Sequence, residues 1–365
     1  MNRNDALPAL ASRGPAGRMA RFCAENLWPT PWALLINLLV GAVLLAILAQ
    51  LLPWGIFNAT WSGSSRSECA PGGACWSFIA EKWPQFLYGF YPESERYRVN
   101  VVFATLAAGI AMMLAPAMPG KRWVQVFMVL VYPFLSAALL LGGVAGLPLV
   151  PTDRWGGLML TLVLAVSGIT LSIPLGAALA LARRSEMPVV KWLSIGFIEF
   201  CRGVPFVTVL FMAIVMLPFF LPAGTKPNPL LLAVFGIVFY EAAYMGEVMR
   251  GGLQAIPKGQ YEAAWAIGFG FWRTMGFIIL PQAVGKVIPG ILNATISLLK
   301  NTTLVMVVGL FDLLNIVTAG ASDPNWSGSL AEGYFVVGLV FWIMSFSLSL
   351  YSRSLEAKLK KADER

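Results

Sequence analysis

The sequence predicts an all-α integral membrane protein with about eight transmembrane helices. Three observations carry that prediction. Hydrophobic residues make up 58% of the 365 positions and charged residues only 12%, against about 25% charged in a soluble domain. Mean hydropathy is +0.73. Apolar runs of the roughly 20 residues that cross a bilayer recur along the chain, and the weak alternating segments of a membrane β-barrel do not dominate. A soluble enzyme and a disordered chain are excluded on the same grounds.

Taken in order, residues 1–30 are read as a cytoplasmic N-terminal tail and the first span covers about 32–52. That span is longer than the 7–15-residue core of a secretory signal, and no clean small-residue cleavage site follows it. The loop at 53–98 is the largest soluble segment and contains Cys69-Ala-Pro-Gly-Gly-Ala-Cys75. In an oxidising compartment a Cys69–Cys75 disulfide closing this Gly/Pro turn is favoured over two unpaired thiols. Spans at about 100–118 and 124–147 complete a leading region, 31–154. A second region, 155–352, holds spans at about 157–182, 192–221, 229–248, 288–310 and 334–351, and 353–365 is a C-terminal tail. The span at 192–221 carries Arg202-Gly203-Val204-Pro205, so it is expected to break or kink there. No internal repeat is visible, which suggests a half-channel that needs another subunit.

The net charge of +8 reflects topology and not nucleic-acid binding. With residue 1 in the cytoplasm, 18 Lys and Arg fall in cytoplasmic segments, six on the other side and two, Arg202 and Lys300, within spans. Basic residues collect in cytoplasmic loops, so both termini are placed inside. The chain has no histidine, which removes imidazole catalysis, proton relays and His metal sites. It has no Gly-x-x-x-x-Gly-Lys-[Ser/Thr] segment either, so no ATP or other cofactor is expected on this chain through a P-loop. Cys23 and Cys201 read as inert.

The loop at 249–287 is the most informative segment. Pro257 suits the first turn of a helix and Gly268 its stop. Between them Tyr261, Ala264, Trp265 and Gly268 recur at helical spacing on one face. Ala263 and Ala264 keep the helix slim, and Glu262 stands beside the face, able to pair with a basic group. Such a helix fits a groove in a partner. Composition alone leaves a helix lying on the membrane surface equally open.

The spacing Glu262-Ala263-Ala264, Gly268, Ile278, Leu280-Pro281 resembles the EAA motif of binding-protein-dependent transporter membrane subunits at every defined position. Glu247-Val-Met-Arg250-Gly-Gly, Ile256-Pro-Lys-Gly-Gln-Tyr, Leu280-Pro-Gln-Ala and Glu199-Phe-Cys-Arg202-Gly-Val-Pro205 look like the polar amino acid subfamily of these permeases. The Gly-Ala-Cys75-Trp loop and the leading spans look like the M-type subunit of general L-amino acid permeases of Gram-negative bacteria. The resemblance implies a C-terminal five-helix type I ABC importer permease core, in a multi-pass protein of the bacterial inner membrane. It implies an EAA loop seated in a separate ATPase that supplies ATP and Mg. It further implies two such ATPases, a homologous second permease subunit and a periplasmic amino acid-binding protein. Lys300-Asn301-Thr302-Thr303 departs from the commoner Lys-Asp-Thr-Ser of the family by losing a carboxylate.

Ionisable groups inside spans are costly and default to functional candidates. Glu199 and Arg202 share a helical face, either as a structural ion pair at the kink or as groups on a substrate path. A guanidinium takes a carboxylate in a bidentate fork, and a zwitterion needs a partner of each sign. Glu241, Asn293, Lys300, Asn301 and Thr302 are further path candidates. Glu247 and Arg250 read as a pair anchoring the loop. The competing class is an ion-coupled secondary transporter using Glu199 or Glu241, for which an EAA loop has no task.

Overall fold

The computed structural model describes residues 30–115, 118–222 and 224–363; most of the tail at 1–30, with Cys23, lies outside them. The chain divides after Ser77 into two compact units.

In the first unit, α1 (Pro31–Leu52) starts at a Thr30 cap, whose Oγ1 accepts the Ala33 N–H at 3.2 Å. It continues through a π-wound turn to Phe57. None of its side chains is buried, and an all-round apolar helix suits lipid. Beyond it, Thr60 pairs with Cys75, and Cys69 and Cys75 form a disulfide with a Cα–Cα distance of 5.6 Å.

The second unit runs through α2 (Trp76–Tyr88, from Phe78 onward), α3 (Arg96–Leu114), α4 (Lys121–Leu141), α5 (Gly157–Arg183), α6 (Pro188–Gly203) and α7 (Phe206–Phe220). It continues with α8 (Pro229–Gln254), α9 (Lys258–Ala266), α10 (Phe271–Val308), α11 (Ile316–Ala321) and α12 (Leu330–Asp363). Among the described residues seven helices of the two units are long and apolar enough to span a bilayer, or eight if α6 and α7 count as one broken span. The central pair is α5 and α8. At Gly176 a Cβ would sit 2.4 Å from that of Met245, so only glycine lets the two backbones approach this closely.

The leading helices are not a separate layer. Val99 and Val102 of α3 and Met128, Tyr132 and Leu140 of α4 share one buried cluster with Leu160, Leu164, Leu210 and Ile237. Position 154 is therefore not a boundary of packing.

Two expectations are corrected. The loop is shorter than 249–287, because α8 extends to Gln254 and α10 starts at Phe271, not near 288. Pro281 lacks an N–H, and the π-wound turn Thr274–Ile279 just before it absorbs the missing bond, so the helix passes through. The tail at 353–365 is no separate segment as far as Asp363: α12 runs through it, and no Gly or Pro is present there to stop a helix. The break expected in the span at 192–221 is present: two helices, bent by 110°, replace one. Val204 is extended (φ −104°, ψ 140°), as a residue before proline prefers.

Candidate functional site

The helix α9 is shaped at both ends by its sequence. Pro257 is its N-cap, at φ −57° and ψ 140°. At the other end the Gly268 N–H donates to Trp265 O at 2.9 Å and the Phe269 N–H to Ala264 O at 3.0 Å. This is the paired Schellman closure, with Gly268 at φ +81°. A Cβ there would meet nothing within 4 Å, so backbone angle and not space calls for glycine.

The exposed surface of α9 differs from the expected face. Ala264 is buried against its own chain and Tyr261 is half-buried, while Glu262, Ala263, Gly268 and Trp265, the last 58% exposed, face outward. The reason is a tight underside. Tyr261 packs on a cluster of Leu253 in α8's last turn and Ile256 just beyond it, Met275, Ile279 and Ala283 of α10, and Leu181 of α5. Arg184 donates to the Tyr261 hydroxyl at 3.3 Å and lies over its ring. Gln282 donates to Gln260 at 3.2 Å. Of the remaining motif residues, Ile278 joins the cluster, while Leu280 and Pro281 are exposed on α10.

About two helical turns back along α8, Glu247 gathers three arginines. Arg250 grips it bidentately at 2.5 and 2.9 Å, Arg183 stands at 3.5 Å and Arg202 at 3.9 Å. Glu199 pairs with Arg183 at 3.2 Å and not with Arg202. Spacing placed Glu199 and Arg202 on one face, but that face meets both α5 and α8, and each charge finds a closer partner there. Arg202 also lies 5.9 Å from the centre of the Tyr244 ring.

Between α8 and α10 lies a cavity of about 510 Å³. Tyr240, Glu241 and Tyr244 line it from α8, and Asn293, Ser297 and Asn301 from α10. Glu241 is buried, and the Tyr240 and Tyr244 hydroxyls are 3.0 Å apart. The structure thus brings together Glu241, Asn293 and Asn301 of the predicted path. Lys300 is exposed outside the cavity, and Thr302 is buried with its hydroxyl spent on Leu299 O at 2.8 Å. Glu199 and Arg202 belong to the ion-pair cluster instead. Tyr240, Tyr244 and Ser297 were missed; the stripe 293, 297, 301, at i, i+4 and i+8, is the signal that could have found Ser297.

Residues 168–361 match the family of binding-protein-dependent transport system inner membrane components. The chain belongs to this family. The permease is 47% identical over 313 residues to the inner membrane amino-acid ABC transporter permease protein YhdY of Escherichia coli (strain K12), covering 86% of this chain and 85% of that protein. It is 38% identical over 412 residues to the glutamate/glutamine/aspartate/asparagine transport system permease protein BztC of Rhodobacter capsulatus, covering 93% and 94%. Both alignments extend well beyond the matched family segment into the leading helices. A crystal structure of an amino acid ABC transporter with histidines superposes with a TM-score of 0.50 at 27% identity, over 55% of this chain and 92% of that one. This permease is therefore a multi-pass inner-membrane component of a binding-protein-dependent transport system, with a type I importer core.

Proposed function

We propose that this permease is the translocating subunit of an ATP-driven importer of L-amino acids, polar ones above all, with α9 as the element that receives work from a separate ATPase. The observation that carries the reading is the construction of α9. Its outer face of Glu262, Ala263 and Trp265 is free for a partner, while its underside is fixed to α5, α8 and α10 at once. A force applied to α9 is delivered to the helices that line the polar cavity. ATP and Mg belong to two ATPase subunits, and this chain carries out no chemistry on the substrate. A homologous permease subunit completes the pathway, and a periplasmic binding protein delivers the substrate. The α9 end and both termini face the cytoplasm, in line with the excess of basic residues there.

The cavity between α8 and α10 is the proposed substrate path. Glu241 offers a negative group to an α-ammonium, and Asn293, Ser297 and Asn301 offer neutral donors and acceptors. Glu199 and Arg202 hold α6 against its neighbours.

The test changes the outer face of α9 only. Glu262→Lys combined with Ala263→Leu is expected to abolish amino acid uptake and co-purification of the ATPase while the permease still inserts. Unchanged uptake would overturn the coupling role. Accumulation of amino acid against a gradient in vesicles holding this chain alone would overturn the whole reading in favour of an ion-coupled carrier.

A further inference from the structure

A second cavity in the same unit has the opposite chemistry. It encloses about 290 Å³ between α3, α4, α5 and α8. Leu106, Ala137, Val163, Val166 and Val234 form its walls, and Phe134 and Leu231, 62% and 67% exposed, form its mouth on the apolar outer surface. The polar groups along the walls are already spent on backbone carbonyls. Tyr132 donates to Val102 O at 3.0 Å, Ser136 to Pro133 O at 3.0 Å and Ser167 to Val163 O at 2.5 Å.

Polarity returns at one end only, beside the start of α5 and α8. Asn228 donates to Thr152 at 2.7 Å, and its Oδ1 caps α8 by accepting the Leu230 N–H at 2.9 Å. Trp155 lines the slot there. It is 4% exposed, and its indole N–H has no hydrogen-bond partner among the described residues. A buried indole N–H without an acceptor is unusual. Arg154, in the same turn, is exposed.

Two physical limits select the occupant. Water needs two to four polar partners, which the walls do not offer. A helix of a partner protein is about 10–12 Å across and is too wide for this volume. A single hydrocarbon chain entering from the bilayer meets both the shape and the chemistry. We propose that the slot holds one acyl chain of a membrane phospholipid. The ester carbonyl accepts the Trp155 N–H and the phosphate lies within reach of Arg154. Such a chain fills the contact between the leading helices α3 and α4 and the α5–α8 pair of the transport core.

The test uses the assembled complex in vesicles of phosphatidylcholine, brominated on the acyl chain near the ester or unbrominated. Trp155 emission is isolated as the difference between the native chain and Trp155→Phe. Bromine near the ester is expected to remove most of that emission. Ala137→Leu and Val166→Phe, which block the slot from different walls, are each expected to restore it. Equal Trp155 emission in brominated and unbrominated vesicles overturns the proposal. So does quenching that survives both blocking variants, because it then reaches Trp155 from outside the slot. Efficient disulfide cross-linking of cysteines placed at Phe134 and Leu231 to a neighbouring subunit would give the slot to protein instead of lipid.

Discussion

The two ends of α5 are held by different chemistry. At the Arg183 end, Arg183, Arg202 and Arg250 converge on Glu247, all of them between about a quarter and a third exposed. At the Gly157 end backbone pairing is closed by buried side-chain hydrogen bonds. Gly156 pairs with Phe311 and Gly157 with Asp312, and the Leu313 N–H donates to Thr161 Oγ1 at 2.9 Å. Asp312, fully buried, accepts the Asn315 N–H at 3.1 Å and the Asn315 side-chain amide. Arginines around a shared carboxylate can exchange partners with little loss, because each keeps a charge-assisted bond as another loosens. A backbone ladder has no such latitude. The end that carries α9 is built to rearrange, and the opposite end, about 40 Å away along the 27 residues of α5, is built to stay.

The fixed end should give the largest single effect. Gly157 sits at φ +62°, and a Cβ there would lie 2.3 Å from Phe86 O. Left-handed strain of about 1–2 kcal/mol adds to an overpacking cost of about 1–3 kcal/mol. Gly157→Val is expected to collapse the yield of folded permease, read as monodisperse protein on size-exclusion chromatography. A near-native yield would mean that this end is looser than its backbone pairing implies.

At the α9 end the losses should be smaller. Glu247→Gln removes the charge that three arginines share but leaves their guanidinium groups partly solvated. A loss of about 1–3 kcal/mol is expected, seen as a lowered melting temperature whose dependence on salt is weaker than that of the native chain. A drop as severe as that of Gly157→Val would erase the distinction between the ends. Gly268→Ala tests α9 alone. Nothing crowds the new methyl group, so only the φ of +81° resists it, at about 1 kcal/mol. Faster hydrogen exchange confined to residues 264–269 is the expected reading; exchange spreading into α8 would show that the cap also braces the base.

How much of this was legible in the sequence depended on whether a feature is local. Spans were legible because about 20 apolar residues announce themselves without any knowledge of neighbours. The α9 helix was legible because Pro257 and Gly268 set both ends within one short segment. Helix limits were hidden where a compensation lies elsewhere, as at Pro281, whose lost bond is absorbed by the turn before it. The pairing of Glu199 was hidden for a related reason. An i, i+3 spacing fixes which side of α6 the carboxylate is on, but only the packed fold shows that Arg183 stands there at 3.2 Å. Glu241, Asn293 and Asn301 stood out as polar residues in apolar surroundings, whereas Tyr240 and Tyr244 blended into them. The outward turn of Glu262 and Ala263, against the inward turn of Ala264, was decided by Met275 and Ile279, some ten or more residues away.

The last expected effect is a pH slope and concerns Asp312, whose carboxyl is pushed up to about 6 by burial, from 3.8. The sign follows from which state holds the proton more firmly. Below about pH 4 the group is protonated in both folded and unfolded chains and costs nothing. Between about 4 and 6 the unfolded chain releases the proton while the folded one retains it. Stability therefore falls as pH rises through this window and stays reduced above it. Asp312→Asn keeps an oxygen to accept the Asn315 N–H and removes the ionisation. The melting temperature of the native chain should thus decline from about pH 4 to about pH 6 relative to that of the variant. Comparing the two chains cancels groups of opposite slope, such as Asp323, held below the usual carboxylate range by its hydrogen bond to Lys82. Parallel pH curves would show that Asp312 is solvated, and the end of α5 described as fixed would then be open to water.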